Sequence, residues 1–302
     1  MTAIKPIALT SLLLALALPV HAQEGRPPQT QTFADQQQAQ AWATQKLAVS
    51  PRRKEWVTIQ QDGRTLHACV IYPDAKPKAP VVLVLHEVFG LTDSTLNTAD
   101  EVAAMGYVVV APDILSGFGP NGGGTSAFAT THDAGEAMTA IAPETMNANL
   151  DAWAGYALAL PQAENKLAIV GLSWGGGEAF RYAADPSHDK ALKLISVFYD
   201  VGPPAVTQGP SRMAKDNPPV SVEAIDVPVY GFYGSTDSRV MNSLSATRDW
   251  MAKAGKAYDP VVYDGADHAF MRVGEDPANT NPANAAAVQA SLARLKALLG
   301  GM

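Results

Sequence analysis

The sequence predicts an α/β protein with a mostly parallel central sheet covered by helices on both faces, and three observations carry that prediction. Strands buried on both faces read as unbroken apolar runs, and "PVVLVL", "YVVVA" and "LAIVGL" are such runs. Segments with helical periodicity separate them, the pattern of successive βαβ units. One run turns through "GLSWGGG" directly into a helix-like segment, as a strand followed by its crossover helix must.

Taken in order, the elements begin after residue 22. Lys5 gives a positive start, Ile7 to Val20 is mostly apolar, and Val20-His21-Ala22 offers a small-residue cleavage site. That combination predicts a signal peptide over residues 1–22 and an exported protein, periplasmic or secreted, with no membrane span left after cleavage. Residues 23–32 read as a flexible leader. Residues 33–48 predict one helix with Ala39, Trp42, Ala43 and Lys46 on a common side. We assign 23–53 to this N-terminal part and 54–302 to one α/β domain.

Two strand-like runs, 55–60 and 64–72, flank "QDGR", whose Asp-Gly signals a hairpin. "PVVLVLHEVFG" then supplies a buried strand, Ser94 to Met105 a helix closed by Gly106, and "YVVVAPD" the next strand. Residues 115–131, rich in glycine, are too long for a plain connection and read as a loop over the site. A helix around 143–159, strand 166–172, a helix to Ala184 and strand 192–199 follow. Strand 228–234, helix 243–254, strand 260–264 and helix 283–299 complete the chain.

"IVGLSWGGGEAF", residues 169–180, is where chemistry enters. A strand turning sharply into a helix through G-x-S-x-G is the nucleophile elbow of the α/β-hydrolase fold, and it makes Ser173 the candidate nucleophile. The motif alone arises by chance in about one such chain in ten, so its surroundings decide. A nucleophilic serine needs a base, an acid to orient that base, and donors for the oxyanion. In this fold the acid and the histidine follow the serine in chain order, on loops after later strands. "GSTDSRV" after strand 228–234 supplies Asp237, and "GADHAF" after strand 260–264 supplies His268, the only histidine downstream of Asp237. Asp264 and Asp267 lie too near His268 to occupy a separate acid loop. For the oxyanion the candidates are the backbone N–H groups of Trp174 and Val88, the latter from the loop "HEVFG".

Other chemistries fit poorly. His-Glu opens the zinc motif H-E-x-x-H, but its fifth position here is Gly90, and no metal is expected. The glycine-rich "GFGPNGGGT" is not followed by Gly-Lys-Ser/Thr, so it is no phosphate loop. The chain has 302 residues and a net charge of −7, with no basic stripe to bind nucleic acid. Its single cysteine, Cys69, excludes an intramolecular disulfide and sits in a strand-like run as a small buried hydrophobe.

In this order, "HEVFGL", "APD", "GLSWGGG", "YGSTD" and "DHAFMR" resemble the dienelactone hydrolase family of α/β-hydrolases over roughly residues 54–299. The resemblance implies a single catalytic domain, no cofactor, and hydrolysis of small esters or lactones through a nucleophile–His–Asp triad. Two departures stand out. The family's name-giving enzymes carry cysteine at the elbow, where this chain has Ser173. A glutamate matching Glu87 is thought to help form their thiolate; here that role is open, and pairing with Arg272 is the alternative. Those enzymes also hold a substrate carboxylate with two arginines. One matches Arg272, but the segment after "APD" has Ile114-Leu115-Ser116-Gly117 and no arginine. A serine peptidase on the same fold and a non-catalytic small-molecule-binding protein are the rival expectations. No cap insertion supports the first, and a binding protein has no need of all three triad residues.

Overall fold

A computed structural model describes residues 32–74, 78–200 and 221–302. The expected signal peptide and nearly all of the leader lie outside the described residues. Eight strands, β1 (Lys54–Gln61), β2 (Arg64–Ile71), β3 (Ala79–Leu85), β4 (Val108–Asp113), β5 (Ala163–Leu172), β6 (Leu192–Phe198), β7 (Val229–Gly234) and β8 (Tyr258–Tyr263), form one sheet. Their order is β1-β2-β4-β3-β5-β6-β7-β8. Only β2 runs against its neighbours; every pair from β4 to β8 is parallel. Asp62 (φ 49°) and Gly63 (φ 72°) both take left-handed backbone between β1 and β2, the geometry of the tight hairpin turn that Asp-Gly favours.

The helices are α1 (Phe33–Ala39), α2 (Ala41–Val49), α3 (Asp93–Ala104), α4 (Thr131–Thr139), α5 (Pro143–Leu158), α6 (Trp174–Ala183), α7 (Ser238–Lys253), α8 (Phe270–Val273) and α9 (Pro282–Leu299). Side chains of a strand alternate between faces, and β3 shows why its run is apolar throughout. Val81, Leu83 and Leu85 join the core shared with α4, α5, α6 and α7, while Val82 and Val84 join the one shared with α3 and α9. Both faces of the sheet are covered.

Three expectations need correction. Residues 33–48 form two helices, not one, broken at Gln40 (φ −106°, ψ 17°). The break has a tertiary cause. Buried Gln40 turns its Oε1 to accept the N–H of Ser94 at 3.0 Å, in the first turn of α3, where Thr92 makes no side-chain cap of its own. Second, α7 starts at Ser238, five residues earlier than expected, because Asp237 caps it. Third, the 115–131 stretch is not plain loop. It holds two single-turn 3₁₀ pieces, Pro120–Gly122 and Thr125–Ala127, and leads into α4, which the sequence reading missed.

Candidate active site

Ser173 stands between β5 and α6 with φ 49° and ψ −118°, a conformation that costs a non-glycine residue on the order of 1–3 kcal/mol. The surroundings hold it there. Its N–H donates to the Phe198 carbonyl at 3.0 Å, and its own carbonyl accepts from the Gly176 N–H at 2.7 Å. The glycines on either side are required by contact. A Cβ on Gly171 would meet the Gly175 carbonyl oxygen at 2.2 Å, and one on Gly175 would meet the Leu85 oxygen at 2.6 Å and the His86 oxygen at 2.7 Å. The elbow is thus pressed against the loop that leaves β3.

His268 and Asp237 meet Ser173 from the neighbouring loops. Ser173 Oγ lies 3.0 Å from His268 Nε2, and His268 Nδ1 lies 2.5 Å from Asp237 Oδ2. Asp237 is buried, and its other oxygen accepts the Val240 N–H at 3.2 Å as the cap of α7. Burial pushes its carboxyl upward, but the hydrogen bond and charge of His268, with Arg239 and the Val240 N–H, outweigh it and hold the pKa below the ordinary aspartate value. Asp267 is committed elsewhere. It accepts from Thr236, Asn281 and Asn284 at 2.6–2.8 Å, tying the histidine loop to the acid loop and to α9.

The two expected oxyanion donors lie on the two segments that Gly175 brings together. Trp174 opens α6, so its N–H belongs to the first turn and has no intrahelical partner. The Val88 N–H has no acceptor among the described residues. Both are available to a ligand oxygen.

Glu87 and Arg272 form a partly buried ion pair, with Nε 3.0 Å from Oε2. Among the described residues, the second Glu87 oxygen is buried with no partner in hydrogen-bond geometry, and so is the hydroxyl of Tyr199. Burial, with the nearby Glu87 charge, pushes the Tyr199 phenol well above its ordinary pKa. Tyr199 is a site residue that sequence reasoning missed. It follows β6 with φ 37°, and its ring stands edge-on to His268 at 5.2 Å and to Phe270 at 5.2 Å. No motif marks it; its only signal is its place just beyond the C-terminal end of a strand, where this fold gathers its functional side chains.

His86 is fully buried, and both ring nitrogens are engaged by backbone: Nδ1 lies 2.7 Å from the Glu87 carbonyl oxygen and Nε2 3.1 Å from the Ile114 nitrogen. Neither is open to a metal, and no cluster of three or more metal-ligating side chains occurs among the described residues. Cys69, on β2 opposite Trp56 and Ala111, is buried, and burial pushes its thiol up to about 11. No described helix is long and apolar enough to cross a membrane.

Comparison with known proteins gives a consistent result. The dienelactone hydrolase family model matches residues 66–302. A protein of Methylorubrum extorquens named "Putative carboxymethylenebutenolidase" is 28% identical over 195 residues, 63% of this chain, and the match spans 63% of that protein's length. One of Salmonella typhimurium with the same name is 28% identical over 218 residues, 70% of this chain and 76% of its own. Among solved structures, a Klebsiella pneumoniae protein named "Putative Dienelactone Hydrolase" superimposes with a TM-score of 0.66 at 23% identity. It covers 80% of this chain and 97% of its own, a likeness of fold.

Proposed function

The chain belongs to the dienelactone hydrolase family, and from that premise we propose that it hydrolyses carboxylic esters or lactones through an acyl-enzyme on Ser173. Ser173 Oγ attacks the substrate carbonyl carbon while its proton passes to His268 Nε2. Asp237 holds the Nδ1–H and stabilises the imidazolium that forms. The tetrahedral oxyanion sits on the N–H groups of Val88 and Trp174. Collapse breaks the carbon–oxygen bond, and the leaving alkoxide takes the proton from His268. Water then gives a proton to His268 and attacks the acyl carbon; collapse breaks the bond to Ser173 Oγ, which takes that proton back from His268 as the acid leaves.

The observation that carries this is the unbroken line from Ser173 Oγ to His268 to Asp237, at 3.0 and 2.5 Å, on a serine held at φ 49°. A serine in an ordinary turn has no reason to bear that strain beside a carboxylate-backed imidazole. Ser173→Ala should abolish turnover of p-nitrophenyl esters and small lactones while leaving the melting temperature nearly unchanged. Near wild-type turnover by that variant would remove Ser173 from the mechanism.

We propose further that the protein acts outside the cytoplasm, on the strength of the charged start, apolar run and Val20-His21-Ala22 site. N-terminal sequencing of protein recovered from the periplasm or medium should begin at Gln23. Full-length chain found in the cytoplasm would contradict export.

A further inference from the structure

We propose that His86 is a positioning residue of the oxyanion hole: its imidazole, hung from the end of β4, fixes the peptide that presents the Val88 N–H. This rests on the acyl-enzyme reading of Ser173. The Ile114 N–H can only donate, so Nε2, 3.1 Å away, must accept, and the ring proton sits on Nδ1. Nδ1–H then donates to the Glu87 carbonyl at 2.7 Å. Burial holds the His86 pKa below its ordinary value, against the opposing charges of Asp113 and Glu87, so the ring keeps the neutral form with one donor and one acceptor.

The Glu87 carbonyl and the Val88 N–H belong to one peptide unit. That unit is planar and trans, so the two groups point in opposite directions, and fixing the carbonyl fixes the N–H. The Gly90 N–H donates to the same carbonyl oxygen at 3.1 Å. The far end of the loop is tied in the same manner. Thr125 Oγ1 accepts the Leu91 N–H at 3.0 Å and donates to Asp113 Oδ1 at 2.6 Å. Both ends of the loop therefore hang from the end of β4, and the donor is set before substrate arrives. Preorganisation of this kind is what makes such donors effective.

The test compares His86→Phe, which keeps an aromatic ring and loses both nitrogens, with His86→Gln, which restores one donor and one acceptor. In folded His86→Phe, kcat should fall about 100-fold, the scale of a misplaced or lost oxyanion donor, with KM within about threefold. Affinity for a trifluoromethyl ketone, whose tetrahedral adduct needs the same hole, should fall by a similar factor. His86→Gln should recover most of the loss. A folded His86→Phe with kcat within about threefold of wild type, or an unchanged ketone affinity, would overturn the proposal.

Should that variant not fold, imidazole nitrogen NMR of the wild type still decides. The proposal requires a proton on Nδ1 and none on Nε2 from pH 5 to 9, and a proton on Nε2 overturns it. Ser173→Ala in the same assays separates the two claims. Retained turnover there sinks the acyl-enzyme, whereas a fully active His86→Phe beside an inactive Ser173→Ala sinks only the role of His86.

Discussion

Arg272 donates from Nε to Glu87, and its two terminal nitrogens have no acceptor among the described residues. One guanidinium can thus neutralise a buried carboxylate and still offer a fork to a substrate. The magnitudes separate these jobs. Removing the cation from buried Glu87 should cost about 3 kcal/mol of stability and should lower turnover of neutral and acidic esters alike, because Glu87 adjoins Val88. Loss of a carboxylate contact would add to this only for acidic substrates. For Arg272→Met we expect the common loss plus a further rise in KM of about threefold for acidic esters, a modest increment because no second arginine follows "APD". Steady-state kinetics on matched neutral and acidic esters checks it. Equal loss on both would leave Arg272 a purely structural partner. The Glu87–Arg272 pairing was one of two roles left open by the sequence, and Tyr199 had only its place after a strand to mark it, because a positive φ and a ring edge against His268 leave no motif in the chain.

The strands were legible as elements because a parallel sheet covered on both faces needs apolar residues at every position, as Val81 to Leu85 show. The helix break at Gln40 was not. "QQQAQAWATQ" contains no proline or glycine, and what stops the helix is a distant N–H, that of Ser94. A second contact between elements yields a pH prediction. Glu101 of α3 and Glu275, just beyond α8, share the ammonium of Lys46 of α2, at 3.4 and 3.0 Å. Burial, followed by the hydrogen bond and charge of Glu275, pushes the Glu101 carboxyl up to about 9. A carboxyl raised on folding favours the protonated fold. Its contribution is therefore whole at low pH and declines as pH climbs from the ordinary carboxylate range through about 9. Glu101→Gln, which keeps a donor for Glu275, should melt higher than wild type at pH 8.5, with the gap narrowing toward pH 5. Thermal melts across that range decide it. A gap that widens on acidification would show that Lys46, not burial, governs the site.

Across the whole molecule, the parallel strands β4 to β8 deliver their following loops to one edge of the sheet. That is why Ser173, Asp237 and His268, 95 residues apart at the extremes, close into one hydrogen-bonded line. Ser173 directly follows β5, and Asp237 and His268 lie on the loops after β7 and β8, so chain order made the constellation legible. The clamp on the oxyanion loop was hidden, because His86 beside Glu87 reads first as a fragment of a metal motif and only the fold reveals its two backbone partners. The N-terminal helices were legible as helical but not as part of the packed body, which Ser50–Asp100 at 2.7 Å and the Gln40–Ser94 contact show them to be. The central claim is a covalent acyl group on Ser173, and intact-mass spectrometry of protein quenched in acid during turnover of a slow ester tests it most directly. Wild type should gain the mass of one acyl group, mapped to the peptide containing Ser173, and Ser173→Ala should gain none. An acyl group on Cys69, or rapid turnover by Ser173→Ala with no adduct, would contradict the mechanism.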